Sequence, residues 1–237
     1  MPEHDIIDNR GEAGQLVDHV SKMLPRAEVA KFAVGYFFAS GLESIAGRLE
    51  DIGELRLLIG NTTSRETIEQ MVEGHKRLER ARDSKEAEEF PKRSETERMV
   101  EETAESVRES LDLMDQTDRS EKVIAELTRL IEEDRLKVRV YTKGRLHSKA
   151  YIFDYPEKGG YEKGISVVGS SNLTLSGLTH NTELNVVVSG NANHTRLTEW
   201  FEALWEEGQD FDEALMQAMS TSWAGSEPPP YDVYMNT

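Results

Sequence analysis

The 237-residue sequence contains no cysteine, which excludes disulfide bonds and metal sites built from thiolates. It also has no apolar run close to the roughly 20 residues that a membrane-spanning helix needs. The first residues carry neither the basic flank nor the apolar stretch of a secretory signal peptide. Together these absences predict a cytoplasmic protein with no membrane partner.

Positive charge is also scarce, since 28 lysine and arginine residues face 45 aspartate and glutamate residues and give a net charge of -17. This balance alone argues against binding to the phosphates of a nucleic acid. The charge is unevenly distributed, however. Residues 62–134 carry a net charge of -9 and residues 191–237 one of -8, whereas residues 136–190 carry +3. An acidic chain with one basic segment can still form a positively charged cleft there.

The first part of the chain alternates between helix-like and strand-like patterns. Residues 14–24 and 42–49 have the apolar spacing of amphipathic helices. The apolar runs at 30–41 and 54–61 are typical of buried strands. A strand–helix–strand start of this kind predicts a largely parallel sheet that is covered by helices.

Residues 62–134 differ from the rest because glutamate, arginine and lysine dominate and the apolar residues recur at helical spacing. We interpret this block as a helical insertion between two strands of the sheet. The apolar residues that share a helical face are Val100, Ala104, Val107, Leu111 and Met114, followed by Val123, Ile124, Leu127, Leu130 and Ile131.

Strand patterns resume after the insertion, and a strongly apolar helix follows them. The runs with strand character are 136–142, 149–155, 165–172 and 183–190. Residues 197–207 have helical spacing, and the stripe that includes Trp200 and Trp205 is typical of core or dimer packing. The proline-rich end at 221–237 is typical of a linker. We therefore predict an α/β domain at residues 1–220, with a mixed, largely parallel sheet flanked by helices and the insertion inside it.

Residues able to carry out chemistry are concentrated in the basic segment. They are His147, Lys149, Asp154, Ser170, Asn172 and Glu183. Residues two apart on a strand point to the same face, so His147 and Lys149 can reach one phosphate together. Each residue also has a simpler interpretation: the His–Lys pair could lie on a solvated surface, Ser170 and Asn172 could form a turn, and Glu183 could begin a strand.

The pattern HxKxxxxD at residues 147–154, followed by GSxN at 169–172, resembles the signature of the phospholipase D superfamily. The resemblance implies that His147 attacks a phosphodiester and forms a phosphohistidine, which water then cleaves. Lys149 and Asn172 would hold the non-bridging oxygens, with Ser170 in the same cradle. Glu183 would orient the histidine, whereas Asp154 is implied to be a structural partner. This scheme needs neither a metal ion nor another cofactor.

The motif occurs once, although the scheme needs a second histidine to protonate the leaving oxygen. The resemblance implies a two-fold homodimer with one active site at the interface. The order of the early apolar run, the late motif and the proline-rich end resembles the amino-terminal domain of prokaryotic Swi/Snf-type helicases. That resemblance implies DNA as a partner and a helicase motor beyond the linker at 221–237.

Three functions are compatible with these observations. The first is a metal-independent phosphodiesterase, more specifically a DNA nuclease or DNA-processing domain. The second is a DNA-binding and dimerisation module with little catalytic activity, which the acidic surface favours. The third is a phospholipase or another phosphodiesterase, although no lipid-facing apolar helix is visible in the sequence.

Overall fold

The computed structural model describes residues 5–10, 14–36, 39–49, 52–60, 93–112, 116–157 and 160–223. In these ranges one sheet contains the strands β1 (Ile6–Ile7), β2 (Val29–Val34), β3 (Glu54–Gly60), β4 (Leu136–Tyr141), β5 (Lys149–Asp154), β6 (Gly164–Gly169), β7 (Asn185–Val188) and β8 (Gln209–Asp210). The helices are α1 (Leu16–Met23), α2 (Ala39–Ile45), α3 (Arg93–Asp112), α4 (Asp118–Glu132), α5 (Leu175–Thr179), α6 (Asn191–Glu207) and α7 (Asp212–Ser220). None of these described helices combines the length and apolar character that crossing a bilayer requires.

The strands lie in the order β1-β7-β6-β5-β2-β3-β4-β8. The predicted α/β class, with a mixed sheet flanked by helices, is confirmed. The expectation of a largely parallel sheet is wrong, because among the described strands only the β2–β3 and β3–β4 pairs are parallel. The chain crosses over between β2, β3 and β4, but β5, β6 and β7 follow one another and pair antiparallel. Successive strands that are joined without a crossover pair in this way, whereas parallel pairs need a crossover.

The two faces of the sheet are covered unequally. Phe32 and Phe153 are fully buried on one face, where they meet apolar side chains from α1, α2, α3, α4, α5 and α7. On the other face, Ile152 packs beneath Phe201 and Trp205 of α6. Side chains alternate between the faces along each strand, so each buried strand contributes to both layers.

The structure contains helices α3 and α4 between β3 and β4, within the block predicted to be a helical insertion. The predicted helical faces are confirmed where they are described, since Val107, Leu111, Leu127 and Leu130 are buried. Thr117 caps α4 by accepting a hydrogen bond from the Ser120 amide. Met114, residues 61–92 and residues 224–237 lie outside the described residues. The domain boundaries therefore stay a prediction.

Strand β2 ends at Val34, earlier than predicted, and α2 begins at Ala39. The strand stops because the Gly35 amide donates a hydrogen bond of 2.9 Å to Asn172 Oδ1 instead of continuing the ladder. The sequence patterns also missed four elements, which are β1, α5, β8 and α7. Helix α6 begins at Asn191, one and a half turns before the predicted start.

Candidate active site

Four neighbouring strands bring most of the predicted site residues to one end of the sheet. Because each neighbouring pair in the row β7, β6, β5 and β2 is antiparallel, the ends of β2 and β6 lie beside the starts of β5 and β7. Lys149 is paired with Gly169, which is paired in turn with Asn185. We call this the motif end of the sheet. His147, Lys149, Ser170, Asn172 and Glu183 all lie at it, on or next to these strand ends.

Asn172 joins the GSxN turn to the end of β2. Its Oδ1 accepts hydrogen bonds from the Gly35 amide at 2.9 Å and from the Tyr36 amide at 3.3 Å. With Oδ1 fixed as an acceptor, the side-chain NH2 group is the part of Asn172 that can donate. A Cβ atom on Gly35 would lie 2.9 Å from the Leu146 carbonyl oxygen and 3.9 Å from Lys149 Cε. Lys149, Asn172 and Gly35 are therefore packed closely enough to exclude a side chain at position 35.

Ser170 and Glu183 are joined directly. The Ser170 hydroxyl donates a short hydrogen bond to Glu183 Oε2 and accepts one of 3.0 Å from the Leu184 amide. Ser170 is exposed and Glu183 is half-buried, so this pair lies at the solvent boundary of the site. The bonds hold the GSxN turn against the start of β7, where Glu183 projects beside it.

A buried layer supports this turn from beneath. Asn185 is fully buried, and its Nδ2 donates to Ser171 Oγ at 2.9 Å. Tyr151 donates its hydroxyl to the Ser171 carbonyl oxygen at 2.9 Å. A Cβ atom on Gly169 would lie 2.3 Å from Asn185 Oδ1, so the turn needs glycine at this position. Ser171 thus points into the protein, while Ser170 is left for the surface.

The charge of Glu183 affects the pKa of two tyrosines. Burial raises the pKa of the Tyr36 phenol and the Glu183 charge adds to the rise, although a hydrogen bond with the Asn172 side chain opposes it. Burial and the same carboxylate also raise the pKa of Tyr151. Both phenols therefore stay protonated at neutral pH, and Glu183 lies within electrostatic reach of each. Tyr36 belongs to the motif end, next to Asn172.

Asp154 does not join the other predicted residues. Lys149 is the first residue of β5 and Asp154 the last, which places their Cα atoms roughly 17 Å apart at the rise of an extended strand. At the far end, Asp154 Oδ2 lies 2.6 Å from the buried Lys31 Nζ, and Oδ1 lies 2.9 Å from His194 Nε2. Lys31 Nζ also lies 3.0 Å from Glu202 of α6.

This charge network attaches α6 to the sheet. Burial alone would raise the pKa of Asp154, but hydrogen bonds from His194 and Lys31 and the charge of Lys31 outweigh it and lower the pKa. Asp154 is therefore a carboxylate at neutral pH. It bonds one residue on β2 and one on α6, which is the position of a structural partner.

Inspection of the sequence missed Tyr36 at the motif end, and Lys31, His194 and Glu202 at the far end. Two signals were available: Tyr36 directly follows the buried run that ends at Gly35, and Lys31 interrupts an otherwise apolar strand. His194 and Glu202 carry no such signal, because they lie in an ordinary amphipathic helix. In the described part of the chain, no group of three or more histidine, aspartate or glutamate side chains is arranged to hold a metal ion.

A comparison with protein-family models matches most of the chain. A family model described as "Cardiolipin synthase, PLD-like domain" matches residues 55–205, well over half of the chain. No curated protein matches the chain.

Similar solved structures include three bacterial proteins. Nuc, a phospholipase D family member from Salmonella typhimurium, is 13% identical with a TM-score of 0.44, over 86% of this chain and 95% of its own. NucT from Helicobacter pylori is 14% identical with a TM-score of 0.42, over 83% of this chain and 91% of its own. Phosphatidylserine synthase from Haemophilus influenzae Rd KW20 is 12% identical with a TM-score of 0.47, over 87% of this chain and 38% of its own.

Proposed function

The chain belongs to the phospholipase D-like domain family, and from this premise we propose that it is a metal-independent phosphodiesterase that cleaves DNA as a homodimer. One observation carries the proposal. His147, Lys149, Ser170, Asn172 and Glu183 lie together at the motif end of the sheet, and His147 is exposed to solvent there.

The proposed reaction has two steps. In the first, an unprotonated imidazole nitrogen of His147 attacks phosphorus, a P–N bond forms and the P–O bond to the leaving group breaks. A second, protonated imidazole gives its proton to the leaving oxygen. In the second step, water gives a proton to that imidazole and attacks phosphorus, and the P–N bond breaks. The enzyme is thus returned to its starting protonation state.

The other residues would stabilise the charge that develops on the phosphoryl group. Lys149 supplies a positive charge, and the Asn172 NH2 group supplies a donor whose orientation is fixed by the two hydrogen bonds to Oδ1. Glu183 would orient His147, with Ser170 holding the carboxylate. The second imidazole would come from His147 of another copy, since the motif occurs once in the chain.

DNA is the proposed substrate because the basic segment surrounds the site in an otherwise acidic chain. Lys143 and Arg145 are exposed in the loop that leads to His147, where they can contact a polyanion. The resemblance to the amino-terminal domain of prokaryotic Swi/Snf-type helicases also favours DNA.

Two other functions each have one observation in their favour. The net charge of -17 opposes the approach of a polyanion, which favours a dimerisation module with little catalytic activity over a nuclease. The description of the matching family model names a cardiolipin synthase, which favours a phospholipid substrate.

The test is cleavage of single- and double-stranded DNA, with excess chelator, by wild-type protein and by His147→Ala. His180→Ala is the matched control, because His180 is an exposed histidine outside the motif. We expect cleavage by the wild type and the control, and none by His147→Ala. Binding without cleavage by all three proteins would favour the binding module. Release of a phospholipid headgroup without any DNA cleavage would favour the lipid substrate.

A further inference from the structure

One loop carries Glu183 to the motif end of the sheet. It comprises residues 180–184, between α5 and β7, and we call it the Glu183 loop. None of its residues is buried, so hydrogen bonds must do more than apolar packing to fix its position. Its backbone is anchored on each side of Glu183. The Leu184 amide donates to Ser170 Oγ at 3.0 Å, and the Asn181 carbonyl oxygen accepts a hydrogen bond of 3.2 Å from outside the loop.

The outside partner is Asn9, a buried side chain from the segment between β1 and α1. Strand β1 brings it there, because Ile7 is paired with Asn185 at the start of β7. Asn9 Nδ2 donates to the Asn181 carbonyl oxygen and also to the Gly177 carbonyl oxygen of α5, at 2.9 Å. A residue near the start of the chain therefore holds two turns of backbone near the proposed site.

Position 9 makes demands that asparagine meets in full. Asn9 Oδ1 accepts a hydrogen bond of 2.9 Å from the Leu16 amide, at the start of α1. The backbone φ is 56°, in the left-handed region that asparagine, aspartate and glycine adopt more readily than other residues. An aspartate carboxylate could accept from Leu16 but could not donate to two carbonyl oxygens. Glycine would keep the backbone and lose all three hydrogen bonds.

The contact with Gly177 extends to Asn172. A Cβ atom on Gly177 would lie 2.6 Å from the Asn172 carbonyl oxygen, so α5 packs directly against the GSxN turn. One buried amide group thus holds both the backbone that follows Asn172 and the backbone that precedes Glu183.

We propose that Asn9 is a positioning residue for the reaction, because it fixes the Glu183 loop in the place from which Glu183 orients His147. This inference rests on the proposed function. Asn9 is buried and its amide group is fully hydrogen-bonded, so it acts through Glu183 and not by contact with the substrate.

The test compares Asn9→Gly with a matched control, Asn191→Gly. Asn191 joins α6 to the loop between β5 and β6 with bonds of the same kind: its Oδ1 accepts from the Lys163 amide at 2.8 Å, and its Nδ2 donates to the Tyr161 carbonyl oxygen at 2.9 Å. Circular dichroism and thermal melting establish that each protein is folded. If Asn9→Gly does not fold, Asn9→Asp replaces it, because aspartate keeps the acceptor for the Leu16 amide.

The first measurement is hydrogen exchange of the Leu184 amide, followed by NMR without substrate. We expect Asn9→Gly to speed this exchange at least about tenfold relative to the amides of β5, since the loop loses one of its anchors. The control should exchange like the wild type at Leu184. Unchanged exchange in the folded Asn9 variant would overturn the inference.

The second measurement is the kinetics of DNA cleavage. Asn9→Gly should lower kcat about tenfold and leave KM within about twofold, because a misplaced Glu183 affects the transition state more than the binding of DNA. In a Glu183→Gln background the same substitution should lower kcat no further, whereas its effect on the melting temperature should persist. Effects on kcat that multiply would show that Asn9 acts independently of Glu183, and would also overturn the inference.

The two measurements separate this inference from the proposed function. A wild type that cleaves no DNA contradicts the function, and exchange at Leu184 then still decides whether Asn9 fixes the loop. A wild type that cleaves DNA, with a folded Asn9→Gly variant that matches it in exchange and in kcat, contradicts the role of Asn9 and leaves the function in place.

Discussion

Replacing Asp154 by asparagine should lower the stability of the protein and have little effect on the rate of the proposed reaction. The substitution removes the negative charge that lies 2.6 Å from Lys31 Nζ, and the Lys31 side chain is only 7% exposed. Breaking a buried ion pair from one side costs about 3–5 kcal/mol. Glu202 remains 3.0 Å from the same ammonium group, so we expect a smaller loss of about 2–3 kcal/mol. For a domain of this size, that loss lowers the melting temperature by about 5–10 °C.

The assay is thermal denaturation followed by circular dichroism, together with DNA cleavage at a temperature where every protein is folded. Glu199→Gln is the matched control, because Glu199 lies on the same helix as Glu202 but pairs with Arg196 on the exposed surface. Glu199→Gln should lower the free energy of unfolding by less than about 0.5 kcal/mol. We expect Asp154→Asn to retain a cleavage rate within about threefold of the wild type, since the reacting groups lie roughly 17 Å away.

A second substitution tests whether the loss of stability comes from the charge of Lys31 that is left without its partner. Lys31→Met in the Asp154→Asn background removes the buried charge that the first substitution left partly unpaired, while Arg56 still lies 3.1 Å from Glu202. Replacing both members of a buried pair is often close to neutral, so the double variant should recover part of the lost melting temperature. If Asp154→Asn melts like the wild type and nevertheless loses all cleavage, Asp154 acts in the reaction and the structural interpretation is refuted.

Three further predictions address the dimer, the site and the dependence of stability on pH. In an equal mixture of wild-type and His147→Ala chains, a shared two-histidine site predicts about one quarter of the wild-type rate, and a rate of one half would show that each chain acts alone. Tyr36→Phe should lower the turnover rate about tenfold with little change in melting temperature, because it removes the phenol hydroxyl beside Asn172 and keeps the buried ring; an unchanged rate would exclude Tyr36 from the site. Burial raises the pKa of Asp212 to about 6 in the folded protein, whereas an unfolded aspartate has a pKa of about 3.9. The protonated side chain therefore favours the folded state at low pH, and its contribution to the free energy of unfolding is lost as the pH rises from about 4 through 6. Asp212→Asn should therefore gain stability relative to the wild type between about pH 4 and pH 7 in urea denaturation, and a pH-independent difference would contradict the raised pKa.

Patterns confined to one element were predictable from the sequence. The apolar residues of α4 recur at helical spacing, and the same residues pack against the core. The apolar residues of strand β3 are buried, and only Glu54 and Arg56 among its seven residues are charged. By contrast, β1 and β8 have two residues each, and a strand that short exists only because a neighbouring strand pairs with it. The direction of β5 relative to β2 also depends on a pairing between distant parts of the chain, which no local pattern contains.

The candidate site likewise contains residues that could be identified from the sequence and one that could not. His147, Lys149, Ser170 and Asn172 lie within one stretch of sequence and could be identified together. Tyr36 joins them from more than 100 residues away in the chain, through its amide hydrogen bond to Asn172 Oδ1. A contact of this kind becomes visible only when the order of the strands is known.

The spacing inside the motif explains why residues that are identified together in the sequence lie apart in the structure. Lys149 and Asp154 are the first and last residues of β5, and their separation of five residues is odd. On a strand, an odd separation places two side chains on opposite faces. Lys149 therefore shares a face with Tyr151 and the main core, whereas Asp154 shares the face of Ile152 and α6. One strand thus connects the proposed chemistry at one end to the anchoring of α6 at the other, and deleting one residue within β5 would turn Asp154 away from Lys31 while leaving the HxK pair intact.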